Sequence, residues 1–398
     1  MDPDLSMLDD FLTEEGVDGY FIDADGEDSD QRYLSGFGAP DPYYTLYADG
    51  EVHLLVSGLE YGRARSEARA ATVSRHSDFG YRDLYEEHGA AGASKRLLAR
   101  FLQEHGVESV AVPQRFPVWT ADGLRERGIT VEPPATDGVM RGSGSVVEDI
   151  RATKTDEEVD HIRAAQRANE AAMARAEDLI TGATVEDGVL QHDGGALTSE
   201  TVRREIEMEL LRRDCALDET IVACGADAAD PHDRGSGPLE ADEAVIVDIF
   251  PKDKATHYHA DMTRTFVNGE PSDTIREWYD LTADAQDAAF DAIEPGATGA
   301  DVHDAVCDVY EDAGIPTLRS DESTETGFIH STGHGVGLDV HEQPNVSPNG
   351  AELEPGHVIT VEPGLYDPEV GGVRIEDLVV VTEDGFENLT DYERRLVP

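Results

Sequence analysis

Residues 331–344 read STGHGVGLDVHEQP. Three glycines, Gly333, Gly335 and Gly337, bracket His334, and His341 follows seven residues after it. Each glycine gives up side-chain packing and costs backbone entropy. A histidine set among three of them is therefore held out to touch something, and a neutral imidazole is the commonest metal ligand. The stretch raises the question of which groups elsewhere in the chain would share a metal with His334.

Four carboxylates answer it. The strands EAVIVDIF and YHADMTRTFV flank a turn containing Pro251, Lys252, Asp253 and Lys254, and HVITVEPG and GGVRIEDLVVVT form a second hairpin. Opposite residues of an antiparallel hairpin have a constant sum of positions. A first turn about 254 and 255 sets Asp248 against Asp261, and a second about Glu369 sets Glu362 against Glu376. Opposed Cβ atoms lie about 4.5–5.5 Å apart, where like charges repel. Asp248 and Glu362 interrupt apolar runs, and buried acids are rare unless they are paired or bind a cation. Four carboxylates and one imidazole make a hard, oxygen-rich set that suits two ions of Mn, with Co or Fe as alternatives, better than a single zinc. Two ions about 3.5–4 Å apart can share a water, lower its pKa and polarise a carbonyl. Hydrolysis is the expected chemistry.

The surrounding pattern repeats. Thr155 stands three residues before Glu158, a capping box, and opens a helix with Val159, Ile162, Ala165, Ala172 and Met173 inward. A second helix runs near 199–213 and precedes the first hairpin. Helices at 273–293 and 301–313, the latter stopped by Gly314, precede the second. Helix, helix, hairpin, occurring twice, predicts a duplicated α/β domain whose pseudo-twofold brings the hairpins together. Before it lies a mixed α/β region with EVHLLV after the turn Asp49-Gly50 and the helical SKRLLARFLQEHG, closed by RGSGS at 141–145, which reads as a linker.

The chain has 398 residues, enough for two domains. It carries 85 acidic and 31 basic side chains, a net charge of -54, with only four lysines. Molar salt shrinks the Debye length to about 3 Å and relieves that self-repulsion, so the composition fits a salt-rich cytoplasm. It excludes nucleic acid, which needs a basic footprint. No apolar run approaches the roughly 18 residues of a membrane span, and the start lacks a basic leader. Cys215, Cys224 and Cys307 are odd in number and outside metal spacing, as in a reducing compartment.

The segments IVDIF, HADMTRTF, STGHGVGLDVHE, TVEPG and GGVRIED, in this order, resemble the ligand motifs of the pita-bread metallopeptidases, the group that contains methionine aminopeptidase, aminopeptidase P and prolidase. EDIRATKTDEEVDHIRAA is similar to the helix opening their catalytic domain, and YLSGF at 33–37 to the start of a creatinase-like amino-terminal domain. The resemblance implies a creatinase/prolidase-like domain over 1–145, a pita-bread catalytic domain over 146–398, and a homodimer. It implies cleavage of the Xaa-Pro bond at the N-terminus of peptides or in dipeptides by a water bridging two metal ions. Asp248 would hold one ion, Asp261 and Glu376 both, and His334 and Glu362 the second, with Glu362 also the general base. His232 would stabilise charge or pass a proton to the leaving nitrogen, His341 would contact the substrate, His330 matches the proline-specific members, and Arg374 would orient ligand carboxylates. The sequence departs from the family in Phe250, where a glycine is usual, and in a first hairpin loop two residues longer.

His257 and His259 read as solvated or supporting residues near a turn, and Cys224 as a small packing residue. GHGVG lacks dinucleotide-fingerprint spacing, and no GxSxG occurs. Two other functions fit a pita-bread fold: a metal-free interaction module and a creatinase-like C–N hydrolase. Both would be expected to lack the five ligands present here.

Overall fold

The computed structural model describes residues 3–133, 145–294 and 296–398, which form two compact units, Met1–Arg151 and Ala152–Pro398. The linker read at 141–145 lies, apart from Ser145, outside the described residues.

In the first unit a six-stranded sheet runs in the order Thr72–Arg75, Glu51–Val56, Tyr43–Ala48, Gly19–Ala24, Ser109–Ala111, Thr130–Glu132. Its centre is antiparallel and its flanks parallel. Asp49 and Gly50 sit at φ 51° and 76°, the two left-handed residues that a tight two-residue hairpin needs. EVHLLV therefore folds straight back on YYTLYA. The helix Tyr81–Glu104 lays Leu97, Leu98, Phe101 and Leu102 against Phe21, Leu46 and Leu55 of the sheet.

The second unit opens with α1 (Asp156–Thr181), whose start is fixed as expected: Thr155 Oγ1 accepts from the Glu158 amide at 3.3 Å, and Glu158 Oε2 accepts from the Thr155 amide at 2.8 Å. α2 (Ser199–Leu211) packs on α1 and buries Val202, Ile206 and Leu210 completely, each worth roughly 1.5–3 kcal/mol relative to exposure. β1 (Thr220–Cys224), β2 (Val245–Ile249) and β3 (Met262–Phe266) form an antiparallel sheet in that order. α3 (Asp273–Ala292) and α4 (Gly299–Asp312) pack together as the second helix pair. α4 starts two residues before the expected 301 because the Thr298 hydroxyl caps it. β4 (Gly333–Gly335), β5 (Glu342–Val346), β6 (Val358–Val361), β7 (Gly364–Asp367), β8 (Gly371–Arg374), β9 (Asp377–Thr382) and β10 (Gly385–Asn388) follow. They make a five-stranded sheet ordered β5-β4-β6-β9-β10 and a separate hairpin of β7 with β8.

The two hairpins do meet. Thr265 Oγ1 donates to the Arg374 carbonyl at 2.9 Å, and the Glu376 amide donates to the Thr263 carbonyl at 3.1 Å. Their registers differ in how the expectation fared. In the second hairpin Gly364 opposes Arg374 and Val361 opposes Asp377, so the predicted sum holds on both sides of Glu362 and Glu376. In the first, Asp248 opposes Thr263 instead of Asp261. The cause is the connection: Lys252–Asp253 pairs outward with Cys215–Ala216, and Lys252 bridges His259, so the chain turns later than expected. Strand side chains alternate with period two, so a two-residue slip keeps Asp248 and Asp261 on one face. Among the described residues no helix is long and apolar enough to cross a membrane.

Candidate metal centre

The three glycines of 331–337 have no left-handed backbone; all three are required by close approach. A Cβ on Gly333 would collide with the Thr360 carbonyl, one on Gly335 with the Gln343 carbonyl, and one on Gly337 with the Glu342 carboxylate. The segment is thus pressed between β5 and β6, and His334 emerges from it. Its Nδ1–H donates to the Gly335 carbonyl at 3.1 Å, which leaves Nε2 as a lone pair. That lone pair stands 3.7 Å from Asp261 Oδ2 and 3.5 Å from Glu362 Oε1. Desolvation, with His341 next in effect, pushes the imidazole down to about 3, so His334 is neutral and cannot itself pair with the carboxylates.

Asp261, His334 and Glu376 each offer a ligand atom within 4.8 Å of the others. Desolvation, then repulsion from neighbouring carboxylates, holds the Asp261 and Glu376 carboxyls well above the usual range. Desolvation also raises Glu362, to about 8, against the lowering effect of Arg374. Asp248 Oδ1 and Asp261 Oδ1 are buried without any hydrogen-bond partner. Orphaned oxygens, crowded acids and an imidazole lone pair facing them fit divalent cations, which would supply the positive charge that the single guanidinium of Arg374 does not. All five sequence-predicted ligands therefore gather in one cluster. The donor set is oxygen-rich, as hard divalent ions prefer.

Arg374 organises one side of the cluster. Nη2 donates to Asp248 Oδ2 at 2.7 Å, Nη1 to Tyr366 OH at 2.8 Å and to the Pro231 carbonyl at 3.5 Å, and Nε to Thr263 Oγ1 at 3.2 Å. Tyr366 OH also meets His330 Nε2 at 3.0 Å. Desolvation, with Arg374 second, pushes His330 down to about 3. His341 is exposed and its ring lies edge-on to that of His334, centroids 4.2 Å apart. His232 is exposed beside Pro231.

Several supporting residues escaped the sequence reading. Thr263 Oγ1 donates to Glu376 Oε2 at 2.8 Å, and Thr360 Oγ1 to Glu362 Oε1 at 3.4 Å. Gln166 grips Asp261 through both backbone groups, at 3.2 and 3.1 Å, and Asn169 Nδ2 donates to the Ile249 carbonyl at 2.6 Å. A signal for this last pair existed: two amides on the otherwise apolar stripe of α1. His259 lies outside the cluster, its ring 3.3 Å from the Gly337 carbonyl. Cys224 accepts from the Glu240 amide at 3.4 Å, as a packing residue does.

Residues 160–383, more than half of the chain, match Metallopeptidase family M24, and residues 5–142 match the Creatinase/Prolidase N-terminal domain. The sequence is 29% identical to the Xaa-Pro dipeptidase of Pyrococcus furiosus over 99% of each chain. Among solved structures, the prolidase from Pyrococcus horikoshii matches with a TM-score of 0.77 at 26% identity, over 98% of this chain and 99% of that one. The Xaa-Pro dipeptidase from Bacillus anthracis matches with a TM-score of 0.81 at 25% identity, over 99% and 98%.

Proposed function

This chain belongs to metallopeptidase family M24, with a creatinase-type amino-terminal domain ahead of a pita-bread catalytic domain, and from that premise we propose that it cleaves the Xaa-Pro bond at the N-terminus of peptides or in dipeptides. The observation that carries the reading is the buried cluster of four carboxylates around a neutral imidazole, with Asp248 Oδ1 and Asp261 Oδ1 unpartnered. The Xaa-Pro preference is supported by the names of the relatives that span the whole chain.

In this reading Asp248, Asp261, His334, Glu362 and Glu376 would hold two divalent ions, with Asp261 and Glu376 as the residues shared between them; manganese is the ion proposed, with cobalt or iron acceptable to the same donors. When bound, the ions supply Lewis acidity toward the scissile carbonyl and toward a water. The remaining work falls to side chains. Glu362 is the natural general base: its side chain keeps 19% exposure against 5% for Asp261, so water can reach its oxygens. The substrate's ammonium lies toward the carboxylates. His341 and His232, on the exposed side, pass a proton to the leaving proline nitrogen. Arg374 and Tyr366 hold Asp248 and His330 in place for this.

The assignment of domains to 1–145 and 146–398 belongs to the same proposal, with the two compact units in support although they divide at Arg151. A salt-rich cytoplasm is supported by the acidic composition, and a homodimer by the family resemblance alone. The decisive experiment loads the protein with manganese in molar KCl, measures bound metal, and follows hydrolysis of Ala-Pro and Ala-Pro-Ala with and without chelator and N-acetylation. Turnover that needs metal and a free amino terminus is expected. Turnover in a metal-free protein would overturn the reading.

A further inference from the structure

Lys154 and Glu342 form an ion pair in which each side chain is only 1% exposed. Burying two charges is costly unless geometry is good and their other hydrogen-bonding capacity is used. Here much of it is. Lys154 Nζ donates to Glu342 Oε1 and to the Ala152 carbonyl at 3.2 Å, and Glu342 Oε2 accepts from the Asp339 amide at 3.4 Å.

The location gives the pair its meaning. Glu342 follows His341 and opposes Gly335, the neighbour of His334, across a register shift between His334 and Gly335. Its carboxylate occupies the space that the missing side chain of Gly337 leaves. The loop joining His334 to His341 is thus folded around this one carboxylate. Lys154 is in turn stitched to the segment entering β6, the strand just before Glu362: its amide donates to the Gly356 carbonyl at 2.9 Å, and Thr153 bridges His357, the residue before β6. One residue later Thr155 caps α1, whose Gln166 grips Asp261. Two ligand-bearing segments therefore converge on Lys154, and the helix that grips a third ligand begins beside it.

We propose that the Lys154–Glu342 pair is a positioning device that fixes His334 and His341 relative to Glu362; the inference rests on the peptidase reading above. An ammonium and a carboxylate locked together define a distance and a direction, whereas apolar groups of the same size would let the glycine-rich loop settle in several ways. Neither residue touches substrate in this account. Both act through the histidines.

The test replaces the pair without stranding a charge: Lys154→Met together with Glu342→Gln, made in the full chain and studied in molar KCl. Thermal unfolding verifies the fold, and cobalt loading gives a visible spectrum that reports the ligand field at His334 independently of turnover. A kcat at least tenfold lower, a KM changed less than threefold and shifted cobalt bands are expected in the folded double variant. Restoring Lys154 and Glu342 in turn should not recover kcat until both are present. A folded double variant with the parent's kcat, or with the parent's cobalt spectrum, would overturn the proposal. An unmodified protein that fails to cleave Xaa-Pro bonds would instead remove the peptidase reading and leave the spectral comparison standing.

Discussion

Arg374 holds one oxygen of Asp248 at 2.7 Å, and the other oxygen of that carboxylate is buried with no partner. The guanidinium therefore orients Asp248 without satisfying it, and leaves one oxygen aimed at the place where a cation fits. The same fork reaches Tyr366 and Thr263, so its planar geometry serves three side chains at once. A lysine has a point charge and cannot make all three contacts. Arg374→Lys should lower kcat/KM by about a hundredfold and weaken binding of the more loosely held metal equivalent. Steady-state kinetics beside metal analysis checks this, and unchanged values in both would remove Arg374 from the site.

Asp261 is the carboxylate most crowded by others, with Glu376, Asp248 and Glu362 all raising it. Asp261→Asn keeps the shape and removes the charge. It should abolish turnover and release at least one metal ion. In chelator, where no cation offsets the repulsion, the variant should unfold at a temperature no lower than that of the parent. A fully active variant lacking metal would show that the cluster is not a metal centre.

Much of this cluster was legible in the sequence because its signals are local. Glycines around His334, acids interrupting VIVDIF and VITVEP, and the repeated order of helices and hairpins all survive in the structure. What stayed hidden is non-local. The register of the first hairpin moved by two because Lys252–Asp253 pairs with a strand almost forty residues upstream, which no property of the hairpin itself announces. The contacts of Tyr366 with His330, and of Lys154 with Glu342, depend on distant segments meeting. A tyrosine or lysine in isolation carries no mark of that. Gln166 and Asn169 are the intermediate case, visible as misfits on an apolar helix face.

Salt should act on the whole surface. With a net charge of -54, the folded state concentrates like charges that the unfolded chain spreads out, and ions screen them over about 10 Å at 0.1 M but about 3 Å at 1 M. The melting temperature should rise steadily from dilute buffer into molar KCl, and sodium chloride should do the same at equal ionic strength. A melting temperature indifferent to salt would refute this account of the composition.

Acid should destabilise the fold through buried histidines. His303 is buried, with Nδ1 2.9 Å from Thr332 Oγ1 and Nε2 3.5 Å from Cys307 Sγ, and desolvation pushes it down to about 4. Between that value and the usual 6.5 the unfolded chain takes up a proton that the folded chain refuses. The stability this group contributes is therefore complete above about pH 6.5 and is lost as the pH falls toward 4. In chelator and molar KCl the raised carboxyls of Asp261, Glu362 and Glu376 act in the opposite sense on acidification, so the readout is the difference between proteins: His303→Gln should lower the melting temperature at pH 7 and close that gap to the parent as the pH falls to 4.5. Parallel slopes would exclude His303 as a source.

Proline sets the final expectation. Its amide is tertiary, so the leaving nitrogen carries no hydrogen and must receive a proton as the bond breaks; a histidine on the exposed side of the carboxylates can deliver it. His232 and His341 both stand there, and His232 touches none of the five proposed ligands in the hydrogen bonds and ion pairs described. Its backbone is held by Asp230, whose Oδ1 accepts from the His232 amide at 2.9 Å, and its neighbour Pro231 is tied to Arg374. Replacing the ring should therefore leave both the loop and the metal in place. His232→Ala should lower kcat on Ala-Pro by about a hundredfold or more, within the range of general acid–base contributions, with KM and bound metal nearly unchanged, the pattern of an interaction made only in the transition state. The parent should cleave Ala-Pro and Ala-Pro-Ala well ahead of Ala-Ala and Ala-Ala-Ala. Equal rates on proline and alanine substrates would remove the proline preference, and an undiminished kcat in His232→Ala would transfer the proton to His341.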